Sequence, residues 1–536
     1  MGRTWVSAAI TGREGRSSMR TPLGVRRRMK SAGSSTRGAS ATRKNTEHVG
    51  RVRPLGPDDG LDAQGTELRT SLTLSRRTGI GRRVTHALPG RRRIFRDSIH
   101  GDIGYAKGEF QRLVESILDT RMFQRLRHIR QNGVLHLVFH GAEHSRFSHV
   151  MGVAWVASQI FDAAYRNTDD ATVCANFDQD REDTILAALL HDVGHGPFSH
   201  TLEEILKSLT VPVDFDHEVM TKRILVENGS EIAAVLGERG TRLVPFIDKK
   251  KRIPNRWFYD IVSSALDADR LDYLLRDSTM TGVTNTHFDL DRLVDALGIK
   301  NDELVVDARA KDVIENYLLA MEQMYASVYY HHTNRAASFL LRSVVARAVD
   351  VASEDIGQRT KLFPERYGKD DPLWQTIEKG QEVPLSVYEI LDENHVWNLI
   401  SLWTDAEDPT LAELAKDLKK RSLPKALIID RATNLPPHGL RKLEAKAKEM
   451  FTTARPDRNP KYYVASDKPE RKAYTGGAYE EGYVGSIKLI HPGGRTEPIE
   501  EADRTVAKVL KDKAVYPSLI VPEIIRGDVL RALEVM

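Results

Sequence analysis

The residues best suited to chemistry are concentrated in one decapeptide, His191-Asp192-Val193-Gly194-His195-Gly196-Pro197-Phe198-Ser199-His200. The apolar run 185–190 leads directly into its His-Asp pair, after which two glycines and a proline end the predicted helix and turn the backbone sharply. An imidazole and a carboxylate are costly to bury at the end of an apolar helix unless a partner compensates them. A divalent cation (Mg, Mn, Fe, Co or Zn) is such a partner, because it accepts adjacent nitrogen and oxygen ligands. The decapeptide therefore predicts a site for one divalent metal ion.

Further ligands are available on both sides of the decapeptide. Upstream, a predicted helix begins with Arg146-Phe147-Ser148-His149. A histidine at the start of a helix is more often a helix cap than a metal ligand, so both interpretations of His149 stay open. Downstream, the segment 265–277 carries four aspartates on a predicted helix. Acids at that spacing usually form a solvated face, but the leucines between them indicate that some of these acids point inward.

The elements that must position these residues are mostly helices. Apolar residues recur at helical spacing over 110–130, 150–166, 182–192, 216–228, 257–278, 311–350, 385–404 and 409–421. Short β-branched or aromatic runs at 461–465, 486–490 and 519–522, separated by glycines, indicate strands. The sequence predicts a mainly α fold, with a helical body over 91–430 and a small C-terminal α+β region over 431–536.

The first 90 residues differ from the rest in charge and composition. They carry 18 Lys and Arg against 6 Asp and Glu, so their net charge is +12, and the remaining residues carry −8 of the total of +4. This asymmetry excludes a uniformly basic nucleic-acid coat protein. A segment this poor in apolar residues predicts a disordered basic arm. This composition fits four interpretations. They are a solvated tail, a start codon assigned upstream of the true one, an arm that binds nucleic acid, and an organelle transit peptide.

Cysteine content and hydropathy restrict the class of protein further. The single cysteine, Cys174, excludes a disulfide framework and cysteine-based zinc clusters, and it fits a reducing compartment such as the cytoplasm. No stretch of the sequence approaches the ~18 uninterrupted apolar residues that span a membrane, so no membrane partner is expected.

Six motifs resemble, in order and spacing, those of HD-domain phosphohydrolases, in the deoxynucleoside triphosphate triphosphohydrolase branch that includes dGTPases and the SAM- and HD-domain dNTPases. The motifs are Ile99-His100-Gly101, Asp119-Thr120, Phe123-Gln124-Arg125-Leu126-Arg127, Arg146-Phe147-Ser148-His149, the decapeptide, and Asp267-Ala268-Asp269-Arg270-Leu271-Asp272-Tyr273. The resemblance covers about residues 93–430 and implies an HD-domain helical bundle.

The resemblance also implies a role for each candidate site residue. Four residues match the family's ligands of a single metal ion: His149, His191, Asp192 and Asp269. His200 and Glu203, three residues apart on a predicted helix, resemble the family's acid–base pair. His195 resembles a histidine that contacts substrate phosphates, and His217 resembles a further active-site histidine.

Nucleotide-binding positions are implied in the same way. Four residues match them, namely Gln131, Arg146, Tyr273 and Asp277, and Tyr329 is a further candidate for substrate binding. Tyr273 and Asp277 resemble groups that hold the deoxyribose 3′-hydroxyl, and Gln131 resembles a sugar-contacting glutamine. Tyr325, Tyr329 and His331 lie at helical spacing over 311–335, which fits either contact with the nucleotide or a place in the core.

Three positions depart from the branch, namely His140, Val150 and Met321. The first two replace a usual proline and a usual serine. Met321 stands where the branch usually carries a phosphate-binding arginine. This departure weakens the assignment of a triphosphate as the substrate.

An effector site is implied as well. Asp119, Gln124 and Arg127 match positions that bind an activating guanine nucleotide in the vertebrate relative, and a homo-oligomer is expected with it. Arg127 fits equally well an ion pair on the helix surface with Glu115 or Asp119.

The sequence therefore predicts metal-dependent hydrolysis of deoxynucleoside triphosphates to deoxynucleoside and inorganic triphosphate, by attack of water on the α-phosphorus. Two alternatives stay open. One is an HD-type phosphohydrolase acting on another phosphate ester, such as a nucleoside monophosphate, a cyclic nucleotide or a nucleic-acid end. The other is a nucleotide-sensing or nucleic-acid-binding regulator without turnover.

Overall fold

The computed structural model describes residues 93–105, 107–168, 174, 176–252, 256–365, 370–429, 439–471, 474 and 486–535. The described residues belong to one compact unit. The predicted basic arm, residues 1–90, lies outside the described residues. Among the described residues, no helix combines the length and apolar character needed to cross a membrane.

Helices dominate the described chain, which confirms the predicted mainly α class. In chain order they are α1 (Glu109–Leu118), α2 (Arg121–Gln124), α3 (Arg146–Arg166), α4 (Phe177–Leu190), α5 (His200–Lys207), α6 (His217–Val226), α7 (Glu231–Leu236), α8 (Arg239–Ile247), α9 (Tyr259–Val262), α10 (Ala268–Thr281), α11 (Leu290–Asp295), α12 (Lys311–Met324), α13 (His332–Glu354), α14 (Ile356–Leu362), α15 (Pro372–Lys379), α16 (Leu385–Tyr388), α17 (Glu393–Trp403), α18 (Pro409–Lys419), α19 (Gly439–Ala454) and α20 (Glu523–Val535).

Short strands occur both within the helical body and in the C-terminal region. They are β1 (Phe95–Asp97), β2 (Gly101–Ile103), β3 (Leu297–Lys300), β4 (Glu303–Asp307), β5 (Lys425–Ile428), β6 (Ala465–Asp467), β7 (Glu470–Arg471), β8 (Lys488–Ile490), β9 (Thr496–Pro498), β10 (Ala514–Val515) and β11 (Ser518–Val521).

The strands form four small sheets. Strands β1 and β2 form an antiparallel pair, as do β7 and β10, while β5, β11 and β6 form a three-stranded antiparallel sheet. The fourth sheet has the order β3-β4-β8-β9, in which only the β4–β8 pair is parallel. Strands from the C-terminal region thus extend a hairpin that follows α11 in the helical body.

Two predicted strands agree with β8 and β11, but the prediction of a strand over 461–465 was wrong. Pro460–Tyr462 form a 3-10 turn, and β6 starts at Ala465. The side chain of Asn459 accepts a hydrogen bond from the backbone N–H of Lys461 at 3.1 Å. An Asn-Pro pair favours such a turn, because Asn bonds to the backbone two residues on and Pro fixes φ.

The predicted continuous helix over 110–130 is interrupted. Helix α1 ends at Leu118, and Thr120 takes an extended conformation as the cap of α2, where its hydroxyl accepts a hydrogen bond from the Phe123 N–H at 3.3 Å. The apolar spacing conceals the interruption, because Phe123 and Leu126 are buried on the same core as α1.

The predicted helix over 311–350 is interrupted as well. Helix α12 passes into a π-helical turn, Tyr325–Tyr329, and α13 begins at His332. His331 caps α13, because its Nδ1 accepts a hydrogen bond from the Thr333 N–H at 3.3 Å. Single π-turns occur frequently at functional sites.

The core that positions the site consists of α3, α4 and α10. Helix α3 packs against both of the others, and residues 185–190 of α4 are fully buried. Gly152 permits the close approach of α3 to α10, because a Cβ at this position would collide with the side chains of Asp272 and Arg276.

Candidate active site

Three helix ends converge on one point of the core. His149 lies in the first turn of α3, His191 and Asp192 follow the last residue of α4, and Asp269 lies in the first turn of α10. Asp267 caps α10 by accepting a hydrogen bond from the Arg270 N–H at 2.8 Å, and this cap fixes where the first turn begins.

All four predicted metal ligands come together there. Nε2 of His149 lies 3.1 Å from Oδ1 of Asp269 and 3.6 Å from Oδ2 of Asp192. Nε2 of His191 lies 3.4 Å from Oδ1 of Asp192 and 3.7 Å from Oδ1 of Asp269. We call these four residues the His/Asp cluster.

The donor atoms of the His/Asp cluster suit a divalent cation. Nδ1 of His149 donates a hydrogen bond to Oδ2 of Asp272 at 2.8 Å, and Nδ1 of His191 donates to the carbonyl of Ala188 at 2.8 Å. These bonds leave each Nε2 as the atom that faces the carboxylates, and both Nε2 atoms are buried without a hydrogen-bond partner among the described residues. A second hydrogen bond that fixes the ring in this way is the usual arrangement of metal-binding histidines.

Asp272 links the cluster to a buried ion-pair network that sequence reasoning missed. Besides His149, it accepts hydrogen bonds from Nε2 of His100 at 2.6 Å and from Nε of Arg276 at 2.9 Å, and Arg276 also pairs with Asp97. Although burial alone would raise it, the Arg276 guanidinium and these hydrogen bonds hold the pKa of the Asp272 carboxyl well below its usual range. The helical spacing of Asp272 and Arg276 was the available signal.

A second group of predicted residues, His195, His200, Glu203 and His217, lies beside the first. Nδ1 of His217 donates a hydrogen bond to Oε1 of Glu203 at 2.7 Å, whereas Nδ1 of His200 lies 3.7 Å from the same oxygen. The ring of His195 stacks on that of His217 with centroids 3.8 Å apart. Glu203 is therefore the direct partner of His217, and its contact with His200 is looser. We call these four residues the His/Glu cluster.

The charges of the His/Glu cluster differ from one residue to the next. Burial alone would raise the pKa of Glu203, but the nearby imidazoles of His200 and His217 hold it well below its usual range. Burial opposes protonation of His217 as well, yet Glu203 raises its pKa. Burial and the nearby Arg146 lower the pKa of His195, whose Nε2 lies 3.4 Å from Oδ1 of Asp192. The lowered pKa favours the neutral form of His195, the member of the His/Glu cluster that lies beside Asp192.

A strained turn carries the backbone from one cluster to the other. Phe198 and Ser199 have φ values of 62° and 57°, a region that residues with a side chain rarely adopt. Glu393 stabilises this turn, because its Oε1 accepts hydrogen bonds from the Phe198 N–H at 3.3 Å and the Arg130 N–H at 2.8 Å. Strain of this kind often occurs at active sites. Nothing in the sequence indicated the role of Glu393.

Arg146 connects the turn to the His/Asp cluster. Its Nε donates to the Ser199 hydroxyl at 2.8 Å, and its Nη1 forms a short ion pair with Oδ2 of Asp192. Ser199 in turn donates a hydrogen bond to the Arg130 carbonyl at 2.8 Å. The arginine therefore fixes one carboxylate of the cluster from the side.

Both clusters open into one cavity of about 490 Å³, a size typical of small-molecule sites. The sequence-predicted residues that line it are Gln131, Arg146, His191, Asp192, His195, His200, His217, Asp269, Tyr273, Asp277, Tyr325 and Tyr329. His149 and Glu203 lie behind this surface and contact it through Asp269 and His217. His331, which caps α13, is not among the lining residues.

The cavity wall beyond the clusters is rich in polar groups. The two oxygens of Asp277 accept hydrogen bonds from the Tyr329 hydroxyl and from Nε2 of His144, both at 2.6 Å. The side-chain oxygens of Gln131 and Asn334 are buried and make no hydrogen bond within the described chain. These acceptors suit a ligand that carries hydroxyl or amine donors.

The residues matched to an effector site lie elsewhere. Arg127 stacks over the ring of Phe147, 3.5 Å from its centroid, and donates a hydrogen bond to Oε1 of Gln124 at 2.9 Å. Asp119 forms its ion pair with Arg93, at 3.6 Å. Neither Asp119 nor Gln124 nor Arg127 is among the residues that line the cavity.

Two family models and several known proteins match the helical body of this chain. The HD domain model matches residues 146–245, and the model of an HD associated region matches residues 288–363. The uncharacterized protein YwfO of Bacillus subtilis is 32% identical over 333 residues, which cover 62% of this chain and 71% of YwfO. The deoxynucleoside triphosphate triphosphohydrolase SAMHD1 of Homo sapiens is 30% identical over 293 residues, which cover 48% of this chain and 45% of SAMHD1.

A solved structure extends the comparison to the fold. The phosphohydrolase from Bacteroides thetaiotaomicron superimposes with a TM-score of 0.66 at 26% sequence identity, covering 81% of this chain and all of that chain. The chain spans most of YwfO but only between about a third and just over half of the length of the triphosphohydrolases it matches.

Proposed function

The chain belongs to the family of HD-domain phosphohydrolases, and from this membership we propose that it hydrolyses deoxynucleoside triphosphates to the deoxynucleoside and inorganic triphosphate. One observation carries the proposal. The buried Nε2 atoms of His149 and His191, which have no hydrogen-bond partner in the described part of the chain, face two carboxylates beside a cavity that also holds a separate group of histidines. Ligands for a cation and groups for proton transfer therefore meet at one ligand-sized space.

We propose that His149, His191, Asp192 and Asp269 hold one divalent cation, whether Mg, Mn, Fe, Co or Zn. A cation bound there supplies Lewis acidity, which acidifies water and polarises a phosphoryl oxygen. Asp272 and the Ala188 carbonyl hold the imidazoles in the tautomer that has Nε2 free. Arg146 holds Asp192 and adds a positive charge to the wall of the cavity.

The His/Glu cluster moves protons in this proposal. Glu203 is ionised, because its pKa lies well below the usual range, and it orients Nδ1 of His217. His200 is the more exposed of the two histidines near Glu203 and extends into the cavity. We assign to His200 and Glu203 the transfer of a proton to the 5′-oxygen of the leaving deoxynucleoside. We assign to His195, whose lowered pKa favours the neutral imidazole, a hydrogen bond to a phosphate oxygen.

We assign the deoxyribose of the substrate to the polar part of the cavity wall near Asp277. Asp277 is an acceptor held by His144 and Tyr329, and it is suited to bind the 3′-hydroxyl together with Tyr273. The buried side-chain oxygen of Gln131 offers a further acceptor. A site built to bind a hydroxyl discriminates strongly against analogues that lack it.

Met321 favours a second candidate function, the hydrolysis of another phosphate ester by the same metal site. This residue is buried and uncharged on α12, at the position where the resembled branch usually carries a phosphate-binding arginine. A nucleoside monophosphate, a cyclic nucleotide or a nucleic-acid end needs fewer positive charges, so a screen of these esters beside the triphosphates distinguishes the two candidates.

We also propose a cytoplasmic homo-oligomer that binds an activating nucleotide near Asp119, Gln124 and Arg127. The guanidinium of Arg127, stacked on Phe147, and that of Arg93 beside Asp119 provide positive charge at this face. Light scattering after size-exclusion chromatography, with and without a guanine nucleotide, tests this assembly. A mass that stays that of one chain in both conditions would contradict it.

Product analysis tests the proposed function. The full chain is incubated with each deoxynucleoside triphosphate and Mg²⁺, Mn²⁺, Fe²⁺, Co²⁺ or Zn²⁺, and the products are followed by ³¹P NMR. We expect inorganic triphosphate with the wild type and none with His191→Ala, which lacks a ligand. Release of orthophosphate or pyrophosphate alone would exclude triphosphohydrolase activity.

A further inference from the structure

Two side-chain amides in the wall of the cavity have buried atoms without hydrogen-bond partners. Nδ2 of Asn132 and Oδ1 of Asn334 are both buried and have no partner among the described residues, and both residues line the cavity. Nδ2 of Asn334 donates a hydrogen bond to the Tyr329 carbonyl at 3.2 Å, which fixes Oδ1 as the free end of that amide. A buried polar atom without a partner is costly, so the two amides fit a ligand that brings an acceptor for Asn132 and a donor for Asn334.

Both amides are attached to the residues that hold Asp277. The Tyr329 hydroxyl donates a hydrogen bond to Asp277, and the carbonyl of the same tyrosine binds the amide of Asn334. Nε2 of His144 binds the other oxygen of Asp277, and the carbonyl of His144 accepts a hydrogen bond, at 3.1 Å, from the N–H of the residue before Asn132. The two amides therefore belong to the part of the wall around Asp277.

The backbone that carries each amide is fixed by its own contacts. The carbonyl of Asn132 accepts a hydrogen bond from the Leu135 N–H at 3.0 Å, and Gly133 between them has a φ of 54°. A Cβ on Gly133 would lie 3.0 Å from the carbonyl oxygen of Phe198, so this turn packs closely on the strained turn of the decapeptide. Asn334 lies in the first turn of α13. Little backbone freedom is therefore lost when a ligand binds to either amide.

The base is the part of a deoxynucleotide that matches these two atoms. Phosphate oxygens accept hydrogen bonds, so they cannot satisfy Oδ1 of Asn334. The 3′-hydroxyl binds Asp277 in the proposed function. The base is attached to C1′, two carbons from the one that carries this hydroxyl, so it lies near Asp277 as the amides do. Its edge presents a donor beside an acceptor, which is the pattern that an asparagine amide reads in a base.

We propose that Asn132 and Asn334 bind the edge of the nucleobase and make the site selective for a base with an exocyclic amino group, namely adenine, guanine or cytosine. This inference rests on the proposed function. The amino group donates a hydrogen bond to Oδ1 of Asn334, and the neighbouring ring nitrogen or carbonyl accepts one from Nδ2 of Asn132. Thymine binds less well, because its N3–H lies between two carbonyl oxygens that repel Oδ1.

Binding of deoxynucleosides, which carry no phosphate, tests the proposal without turnover. The full chain is titrated with the four deoxynucleosides, and ligand-observed NMR measures their affinities. Each amino-bearing deoxynucleoside is paired with its analogue that lacks the amino group, which is purine deoxyriboside, deoxyinosine or pyrimidin-2-one deoxyriboside. We expect thymidine and the analogue of the preferred base each to bind about tenfold more weakly than the preferred deoxynucleoside, because Oδ1 of Asn334 then stays unpaired.

Substitution of each amide separates base recognition from a merely structural role. Asn334→Leu should bring the two members of the preferred pair to within about twofold of each other, because neither the amino group nor its absence then matters. Asn132→Leu should weaken both members about equally, because both retain the acceptor that Asn132 binds. Asn398→Leu removes an exposed amide of α17 and should change none of these affinities. Asn334→Ala replaces Asn334→Leu if the latter does not fold, and the wild-type comparison needs no variant.

Three results would overturn the proposal. They are equal wild-type affinity for both members of every pair, thymidine as the tightest ligand, and an unchanged ratio of affinities in folded Asn334→Leu or Asn334→Ala. A general disturbance of the wall in these variants would weaken both members of a pair and leave their ratio intact. A wild type that releases no inorganic triphosphate but prefers the amino-bearing deoxynucleoside through Asn334 would refute the proposed function and support the base-binding role.

Discussion

Nδ1 of His149 lies 2.8 Å from Oδ2 of Asp272, and both side chains are fully buried. The aspartate does not face the other ligands; it fixes the ring that does. Through Arg276 it also ties the cluster to Asp97 on β1, so the metal site and the packing of α3 on α10 depend on the same carboxylate.

Asp272→Asn should weaken metal binding by about 10- to 100-fold, because the amide cannot accept from His149, His100 and Arg276 as an ionised carboxylate does. Titration with Mn²⁺ and metal analysis of the purified protein measure the effect. Asp183→Asn is the matched control, since Asp183 is a buried acid that pairs with Arg242 away from the cavity. Equal metal affinity in the two variants would contradict the role given to Asp272.

Glu203→Gln should lower kcat by about 10²- to 10⁴-fold with metal content unchanged, because proton transfer loses its ionised carboxylate while the ligands stay in place. Steady-state kinetics and metal analysis on the same preparation separate the two properties. Glu227→Gln, which removes the partner of Arg223 at the end of α6, serves as the control. A parallel loss of metal would show that Glu203 acts on the ligands instead.

The same pair predicts how stability depends on pH. The lowered pKa of Glu203 contributes stability above its ordinary value of 4.5, and the raised pKa of His217 contributes stability below its ordinary value of 6.5. The contribution of Glu203 is lost as the pH falls through its folded-state pKa, and that of His217 as the pH rises through its own. The difference in unfolding free energy between wild type and Glu203→Gln should therefore be largest between pH 4.5 and 6.5. Chemical denaturation across pH 4–9 measures it, and a difference that does not vary with pH would refute the pairing.

Gly152→Ala should destabilise the protein by about 1–3 kcal/mol, because the added methyl group collides with Asp272 and Arg276 where α3 crosses α10. We expect metal affinity to fall as well, since Asp272 must move. Gly527→Ala, at an exposed position of α20, is the matched helical control, and it should stabilise by about 0.5–1 kcal/mol. Unfolding in denaturant compares the two, and an equal change in both would contradict the packing argument.

The decapeptide 191–200 could be interpreted from sequence because its chemistry and its helix-ending residues are contiguous. His149 and Asp269 lie at the starts of two helices that the spacing of apolar residues predicts. That both residues lie close to His191 could be predicted only from the family resemblance. Glu393 could not be found in this way. It stabilises the turn at Phe198 from α17, about two hundred residues away, and no periodicity connects the two.

The ends of helices could not be predicted either, because the spacing of apolar residues does not change when a helix is interrupted for one or two residues. Thr120 and His331 each cap a new helix while the buried face continues, and the caps depend on single hydrogen bonds.

Hydrolysis in H₂¹⁸O tests the central claim most directly. The full chain is supplied with a deoxynucleoside triphosphate and its activating metal, and the products are separated and weighed by mass spectrometry. Attack of water on the α-phosphorus predicts inorganic triphosphate that carries one ¹⁸O atom and a deoxynucleoside that carries none. Labelled orthophosphate or pyrophosphate, or an ¹⁸O atom in a deoxynucleoside phosphate, would contradict the account.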